Sequence, residues 1–200
     1  MSDPLASIQE ALQRPFSQRE IGWKPQAVNR SRTRALLVPY VDARTVQRRL
    51  DEICPDHWQF KVEALPECPQ PAVRGTLTIF DVPREDIGEA FDASTDQLKA
   101  AASDAFKRCA VQFGIGRYLY GLPKFWVDWD DQARRPTGPY PALPAYALAP
   151  DERSAGAQHI LDALGELQEH FPQDVTLQRS VYKHLKDALR VLEWPARGAS

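Results

Sequence analysis

Only three cysteines, Cys54, Cys68 and Cys109, occur in 200 residues, and no two are spaced as C-x-x-C. So sparse and odd a set excludes a disulfide framework and fits a reducing cytoplasm. No apolar run approaches the roughly 18 residues that a membrane-spanning helix needs, and no charged-then-apolar leader opens the chain. No membrane partner is therefore expected. A strong net charge is also missing. The 25 Lys and Arg against 27 Asp and Glu leave −2, so the chain as a whole does not announce a polyanion partner. Internal repeats are absent, and the 43% hydrophobic and 26% charged content is that of an ordinary soluble globular protein.

The usual marks of catalysis are absent too. A nuclease or polymerase needs clustered carboxylates to hold magnesium. Asp128, Asp130 and Asp131 form the nearest cluster; it has no partner motif and reads as an exposed acidic loop. The four histidines, His57, His159, His170 and His184, show no zinc-ligand spacing. Gly114, Gly116 and Gly121 lack the order and spacing of a nucleotide loop and follow a helix instead of a strand. No serine or cysteine sits in a nucleophile motif. The expectation is a protein that is not an enzyme and needs no cofactor and no metal.

What is present is a long amphipathic pattern from Asp96 to Leu122. Leu98, Ala101, Ala102, Ala105, Phe106, Cys109 and Phe113 recur at three- and four-residue steps as one stripe. Gly114 and Gly116 then stop the helix. Cys109 lies on that stripe as a small core residue. Lys107 falls opposite the stripe and Arg108 at its flank, a placement that on its own also fits a solvated helix face.

The rest reads as α+β. Ser7 to Leu12 can open a short helix, with Ser7 as N-cap and Glu10 completing a capping box. Gly22 to Tyr40 is an irregular or extended basic segment. Arg44 to Ile53 is helical, closed by Pro55. Trp58 to Leu65 and Val73 to Phe80 alternate as half-buried strands, and Arg84 to Phe91 is a third. A three-stranded antiparallel sheet crossed by one long helix, a β-β-β-α core, follows. Residues 1–135 form this domain. Residues 136–150 hold five prolines, Pro136, Pro139, Pro141, Pro144 and Pro150, and read as a stiff extended linker. Residues 151–200 form a C-terminal extension, two amphipathic helices of about Ser154 to Phe171 and Val175 to Leu192 broken at Pro172 into a helical hairpin.

Charge is unevenly spread. Arg14, Arg19, Lys24, Arg30, Arg32 and Arg34 face one acid, Glu20, between positions 14 and 34, a local balance of 6 − 1 = +5. Acids gather later, from Asp81 to Asp96 and at Asp128 to Asp131. A basic face on a near-neutral protein fits this asymmetry. Cations to track phosphates and aromatic faces for bases are the ingredients of a single-strand groove. Trp23, Tyr118, Tyr120 and Trp126 are aromatics that could stack bases, or serve as core or interface.

Three segments carry a family likeness. The first is Lys99, Ala102, Phe106, Lys107, Arg108, Phe113 and Gly114, with Asp104 close to its expected place. The second is Glu85-Asp86-Ile87-Gly88 followed by Phe91 and Ser94, and the third is Tyr40-Val41-Asp42-Ala43-Arg44 leading to Trp58. In this order, over roughly Pro15 to Leu122, the chain resembles the Rad52/Rad22 family of single-strand annealing proteins, its bacterial branch above all. The resemblance implies a ring-shaped homo-oligomer that binds single-stranded DNA in double-strand-break repair, cytoplasmic and nucleoid-associated. It implies strand coating and protection of three-prime ends, with possible help to annealing. It places Lys107 and Arg108 in the groove, with Arg44 beside them; Lys99, Arg30, Arg32, Arg34 and Arg48 complete the candidate DNA-binding cations. Eukaryotic members carry a further arginine three residues after the Lys-Arg pair. Val111 stands there in this chain, which favours end shielding over annealing. The alternative is a non-catalytic adaptor whose basic segment docks an acidic protein.

Overall fold

The computed structural model describes residues 3–90, 96–170 and 173–193. They fall into two compact units, one of residues 1–14 and 19–137, the other of residues 15–18 and 138–200.

The first unit opens with α1 (Pro4–Gln13). Its cap is Asp3, whose carboxylate accepts from the Leu5 N–H at 3.0 Å, with Pro4 at the first helical position. The expected capping box at Ser7 does not form. An aspartate directly before a proline starts the helix earlier, because proline fits the first turn, where its missing N–H has no partner to lose.

The segment expected to be irregular or extended is a β-hairpin. β1 (Gly22–Val28) pairs antiparallel with β2 (Arg34–Tyr40), with a register shift between Pro25 and Ala27. Asn29 builds the connection, its side-chain oxygen accepting from the N–H groups of Thr33 and Arg34, each at 2.9 Å. Pro25 and Pro39 conceal the strands in the sequence, since proline has no N–H to donate to a ladder and is confined to edges and bulges. Two further strands join: β6 (Phe125–Asp130) pairs with β2, and the short β7 (Arg135–Pro136) pairs with β6, giving a four-stranded sheet in the order β1-β2-β6-β7. This sheet was not expected. Part of what reads as an acidic loop, Asp128 to Asp130, is strand.

Between the hairpin and the second sheet runs α2 (Ala43–Ile53), capped by Asp42, which accepts from the Thr45 N–H at 2.9 Å. Val46 and Leu50 turn inward. The second sheet is β3 (Trp58–Ala64), β4 (Ala72–Ile79) and β5 (Val82–Glu89), antiparallel throughout. Phe91 and Ser94, part of the motif read after Glu85, lie outside the described residues.

Helix α3 (Gln97–Gln112) packs on β4 and β5. Its contact face is made of small residues, Ala101 and Ala105, which join Val73 and Ala90 in one buried cluster flanked by Phe60 and Ala102. Glycines on the sheet complete the fit. A Cβ at Gly88 would collide with the Ala101 carbonyl oxygen and the Ala105 nitrogen, so helix and strand backbones nearly touch. A Cβ at Gly75 would meet the Phe60 ring at 2.8 Å and the Ala105 methyl at 2.9 Å. Cys109, fully buried, donates its thiol to the Gly75 carbonyl at 3.3 Å. Leu98, placed on the inward stripe by periodicity, is 57% exposed; it sits in the first turn, before the helix is covered. Gly114 and Gly116, at φ +96° and +68°, turn the chain away as expected. Arg117 closes the helix end by donating to the carbonyls of Val111 and Gln112 at 2.9 and 2.8 Å.

In the second unit, α4 (Ala155–His170) and α5 (Val175–Glu193) pack together. Pro172, read as the break between them, lies outside the described residues. The proline-rich stretch is not a bare linker here. Leu143, Ala145, Ala147 and Ala149 are buried, and Ala145 packs with Ala157, Tyr146, Ile160 and Leu161. Small and aliphatic residues between the prolines face inward at alternate positions and supply a core that proline counting overlooks.

Candidate nucleic-acid interface

The face of α3 turned away from the three-stranded sheet looks across a groove of about 280 Å³ toward the β1–β2 hairpin. Strand alternation decides what the hairpin presents. Trp23 points to the opposite face, where it joins Ala35, Leu37, Val127 and Trp129 in a second core cluster. Lys24 and Gln26 therefore point into the groove, as do Val38 and Tyr40 on β2. From α3 come Asp104, Lys107, Arg108 and Val111. Tyr120, in the 3₁₀ turn Arg117–Gly121, and Lys124, just before β6, close one end. Four cations and one carboxylate line the groove.

Lys107 is the most unusual of them. It is half-buried instead of lying on a solvated face. Burial pulls its pKa below the ordinary lysine value, Lys24 pulls it further, and Asp104 and Asp42 offset part of the shift. Among the described residues it forms no salt bridge. A helical wheel cannot find this burial, because the cover comes from a hairpin more than sixty positions upstream. Arg108 differs. Its Nε donates to Asp86 on β5 at 2.8 Å, and this bond is the main reason its pKa is raised. Asp86 is pushed up by burial, but bonds from the Arg108 and Gln112 side chains and the Ile87 N–H outweigh that and hold its pKa below the usual carboxylate value. Arg108 is thus a positioned cation with half of its side chain exposed at 49%.

The hairpin cations are positioned too. Tyr40 lies across the strand from Gly22, and its ring occupies the space a Cβ at Gly22 would need, 2.6 Å from such an atom. The Lys24 ammonium sits 5.6 Å from the centre of that ring. Lys124 donates to the Gln26 side-chain oxygen at 2.7 Å.

Of the cations expected from sequence, Lys107 and Arg108 line the groove, and the other six lie outside its lining. Arg44 is exposed on the first turn of α2, and Arg30 is exposed in the hairpin loop. Lys99 pairs with Asp96 at 3.0 Å and Arg48 with Glu20 at 3.4 Å. Arg32 pairs with Asp131 at 2.7 Å, and Arg34 lies 3.8 Å from Asp128. The acidic cluster therefore meets the hairpin arginines. Lys24, Gln26, Tyr40 and Lys124 were missed as site residues. The Lys24-x-Gln26 alternation is a local signal for two of them; Lys124 comes into place only through β6 pairing.

A family model described as Rad52/22 family double-strand break repair protein matches residues 4–137. A protein of Deinococcus deserti named single-stranded DNA-binding protein DdrA is 53% identical over 185 residues, covering 92% of each chain. A protein of the same name from Deinococcus radiodurans is 55% identical over 185 residues, 92% of this chain and 88% of that one. No solved structure matches this chain. The likeness read from three short segments is borne out, the matched span holds every residue that lines the groove, and the chain belongs to the Rad52/22 family of double-strand break repair proteins.

Proposed function

We propose that this protein binds single-stranded DNA in the groove between α3 and the β1–β2 hairpin, with Lys24, Lys107, Arg108 and Lys124 on the phosphates. The observation that carries the reading is Lys107: a half-buried ammonium whose near neighbour across the groove is a second lysine. Two cations brought together while one is losing its hydration call for an anion between them, and a strand backbone supplies one per nucleotide. The relatives named as single-stranded DNA-binding proteins support the choice of anion. Binding proceeds without catalysis and serves break repair by coating strands and shielding three-prime ends. Shielding is favoured over annealing by Val111, an apolar side chain in the groove wall. Arg44, Arg30 and Arg48 add charge around the site rather than inside it.

The working form is a homo-oligomer, in keeping with the family. Among the described residues the sheets end at β3 and β5 in one and at β1 and β7 in the other, and natural proteins pair or cover such edges. A ring would align many short grooves into one track and multiply weak contacts. Light scattering that returns a 22.6 kDa species at working concentration would exclude the ring.

The direct test is a salt titration of binding to a fluorescent single strand. Lys107→Ala with Arg108→Ala should weaken binding at least about tenfold and make the salt slope less negative by about 0.7 for each phosphate that is no longer neutralised. A folded double variant with unchanged affinity and slope would refute the groove.

A further inference from the structure

Strand β6 starts at the groove. Lys124, just before the strand, lines the groove, and Trp126 lies two residues further on, which in extended backbone puts it on the same side. The register agrees: Trp126 pairs with Leu36, which is two residues from the groove-lining Val38 on β2. The opposite face of β6 carries Phe125, Val127 and Trp129; Val127 and Trp129 join the core cluster, and Phe125 meets Trp23 edge-on at 5.7 Å.

Trp126 thus takes no part in that core, and it is 47% exposed. Other tryptophans are used in the fold: Trp23 and Trp129 in the cluster, and Trp58 against Phe106 with its indole N–H donated to Asp51. Arg34 organises the surroundings of Trp126. Its guanidinium donates to the Trp126 carbonyl at 3.3 Å and lies 6.0 Å from the centre of the indole. One half-exposed aromatic therefore stands between Lys124, inside the groove, and Arg34, beyond it.

We propose that Trp126 is a stacking platform for the base of the nucleotide that leaves the groove, with Arg34 exchanging its exposed 3.8 Å contact with Asp128 for the phosphate on the far side. This rests on the groove reading. Two residues of strand advance about 6.6 Å, so the platform adjoins the phosphate held by Lys124. Flat aromatic faces accept any base, and the assignment predicts base-dependent but sequence-tolerant affinity. It also gives Arg34 a role at the groove exit that its place outside the lining leaves open.

The test separates bases from backbone. Full-length protein is titrated by fluorescence anisotropy with an oligo-dT strand and with a strand of equal length whose every position is abasic, so that phosphate charge is the same. Trp126→Ala should cut the preference for the base-bearing strand by about fivefold, the lower end of what one stacked base is worth. Trp126→Phe should keep most of that preference, and Trp126→Leu should lose it, with thermal melts confirming that both fold. A preference unchanged in Trp126→Ala, or equal in the Phe and Leu variants, overturns the platform. Lys107→Ala should weaken both strands by the same factor. Wild-type affinity of Lys107→Ala for both strands removes the groove itself, whereas an unchanged preference in Trp126→Ala beside a weakened Lys107→Ala removes only the stack.

Discussion

Helix α3 stands between two sheets and treats them in opposite ways. Toward β3-β4-β5 it offers alanines, and the strands answer with glycine, so backbone meets backbone. Toward the β1–β2 hairpin it offers Lys107 and Arg108, and the hairpin answers with Lys24 and Tyr40 across open space. One joint is closed by the smallest side chains available; the other is held apart by some of the longest. The outer face of the three-stranded sheet shows a further contrast, since part of its charge is paired within the sheet: Arg74 with Glu63 at 3.2 Å and Thr76 with Glu85 at 3.1 Å. On the proposed reading, stability and strand recognition fall to different faces of a single helix.

The closed joint breaks most readily at Gly88. Gly88→Val forces a branched side chain against helix backbone that cannot rotate away, and should cost about 3 kcal/mol or more. Urea unfolding followed by circular dichroism measures it, and a loss under about 1 kcal/mol would mean the helix rides more loosely than described. Strand binding in any folded fraction should be unaffected.

The open joint is sharpened by pH. The pKa of Lys107 lies below the ordinary 10.5 because of burial and Lys24. As pH rises through that lowered value, Lys107 loses its proton before exposed lysines do, and affinity for a single strand should fall with it. The drop should approach about fivefold, one phosphate contact at roughly 0.1 M salt. Lys107→Arg should flatten the profile, because arginine stays charged. Identical profiles for the two proteins between pH 7.5 and 10 would place Lys107 away from the phosphate.

A smaller effect tests the link between the joints, which is Asp86. Its pKa is depressed below 3.8 by Arg108, Gln112 and the Ile87 N–H against the opposing effect of burial. The sign follows: the carboxylate stabilises the fold above the usual carboxylate range and ceases to do so as pH falls through the depressed value. Asp86→Asn should lower stability at pH 7 by about 1 kcal/mol. The gap to wild type should close below about pH 3.8, the ordinary value. A gap that stays constant as pH falls through and below 3.8 would assign the effect to packing.

Least is expected from surface pairs outside the groove. Lys99→Ala and Arg74→Ala should each change stability by about 0.5 kcal/mol or less and strand affinity by about twofold or less. A larger loss of affinity with Lys99→Ala would extend the interface along α3 toward its start.

Much of the closed joint was legible in the sequence. The alternation of β3 and β4, the small-residue stripe of α3 and its glycine stop each follow a local period, and local periods survive folding when one face is buried. The open joint was legible only in part. Lys107 and Arg108 stood out, but the hairpin facing them is interrupted by Pro25 and Pro39, which break the strand pattern without breaking the strands. Lys124 carries no local signal at all, because β6 reaches its place through pairing with residues some ninety positions earlier. Leu98 erred the other way: a helical period assigns it inward, yet among the described residues it stays 57% exposed in the first turn of α3.

The thiol of Cys109, donated to the Gly75 carbonyl inside the closed joint, turns that joint into its own reporter. Burial raises the pKa of Cys109 and of Cys54, whereas Cys68, in the β3–β4 connection, is half-exposed. A thiol reagent added to the folded protein therefore modifies Cys68 first, and at reagent concentrations where alkylation outpaces reclosing the rate at which Cys109 follows is the rate at which α3 lifts from its sheet. Alkylation timed with and without a bound single strand would read whether filling the groove tightens the helix on its far side.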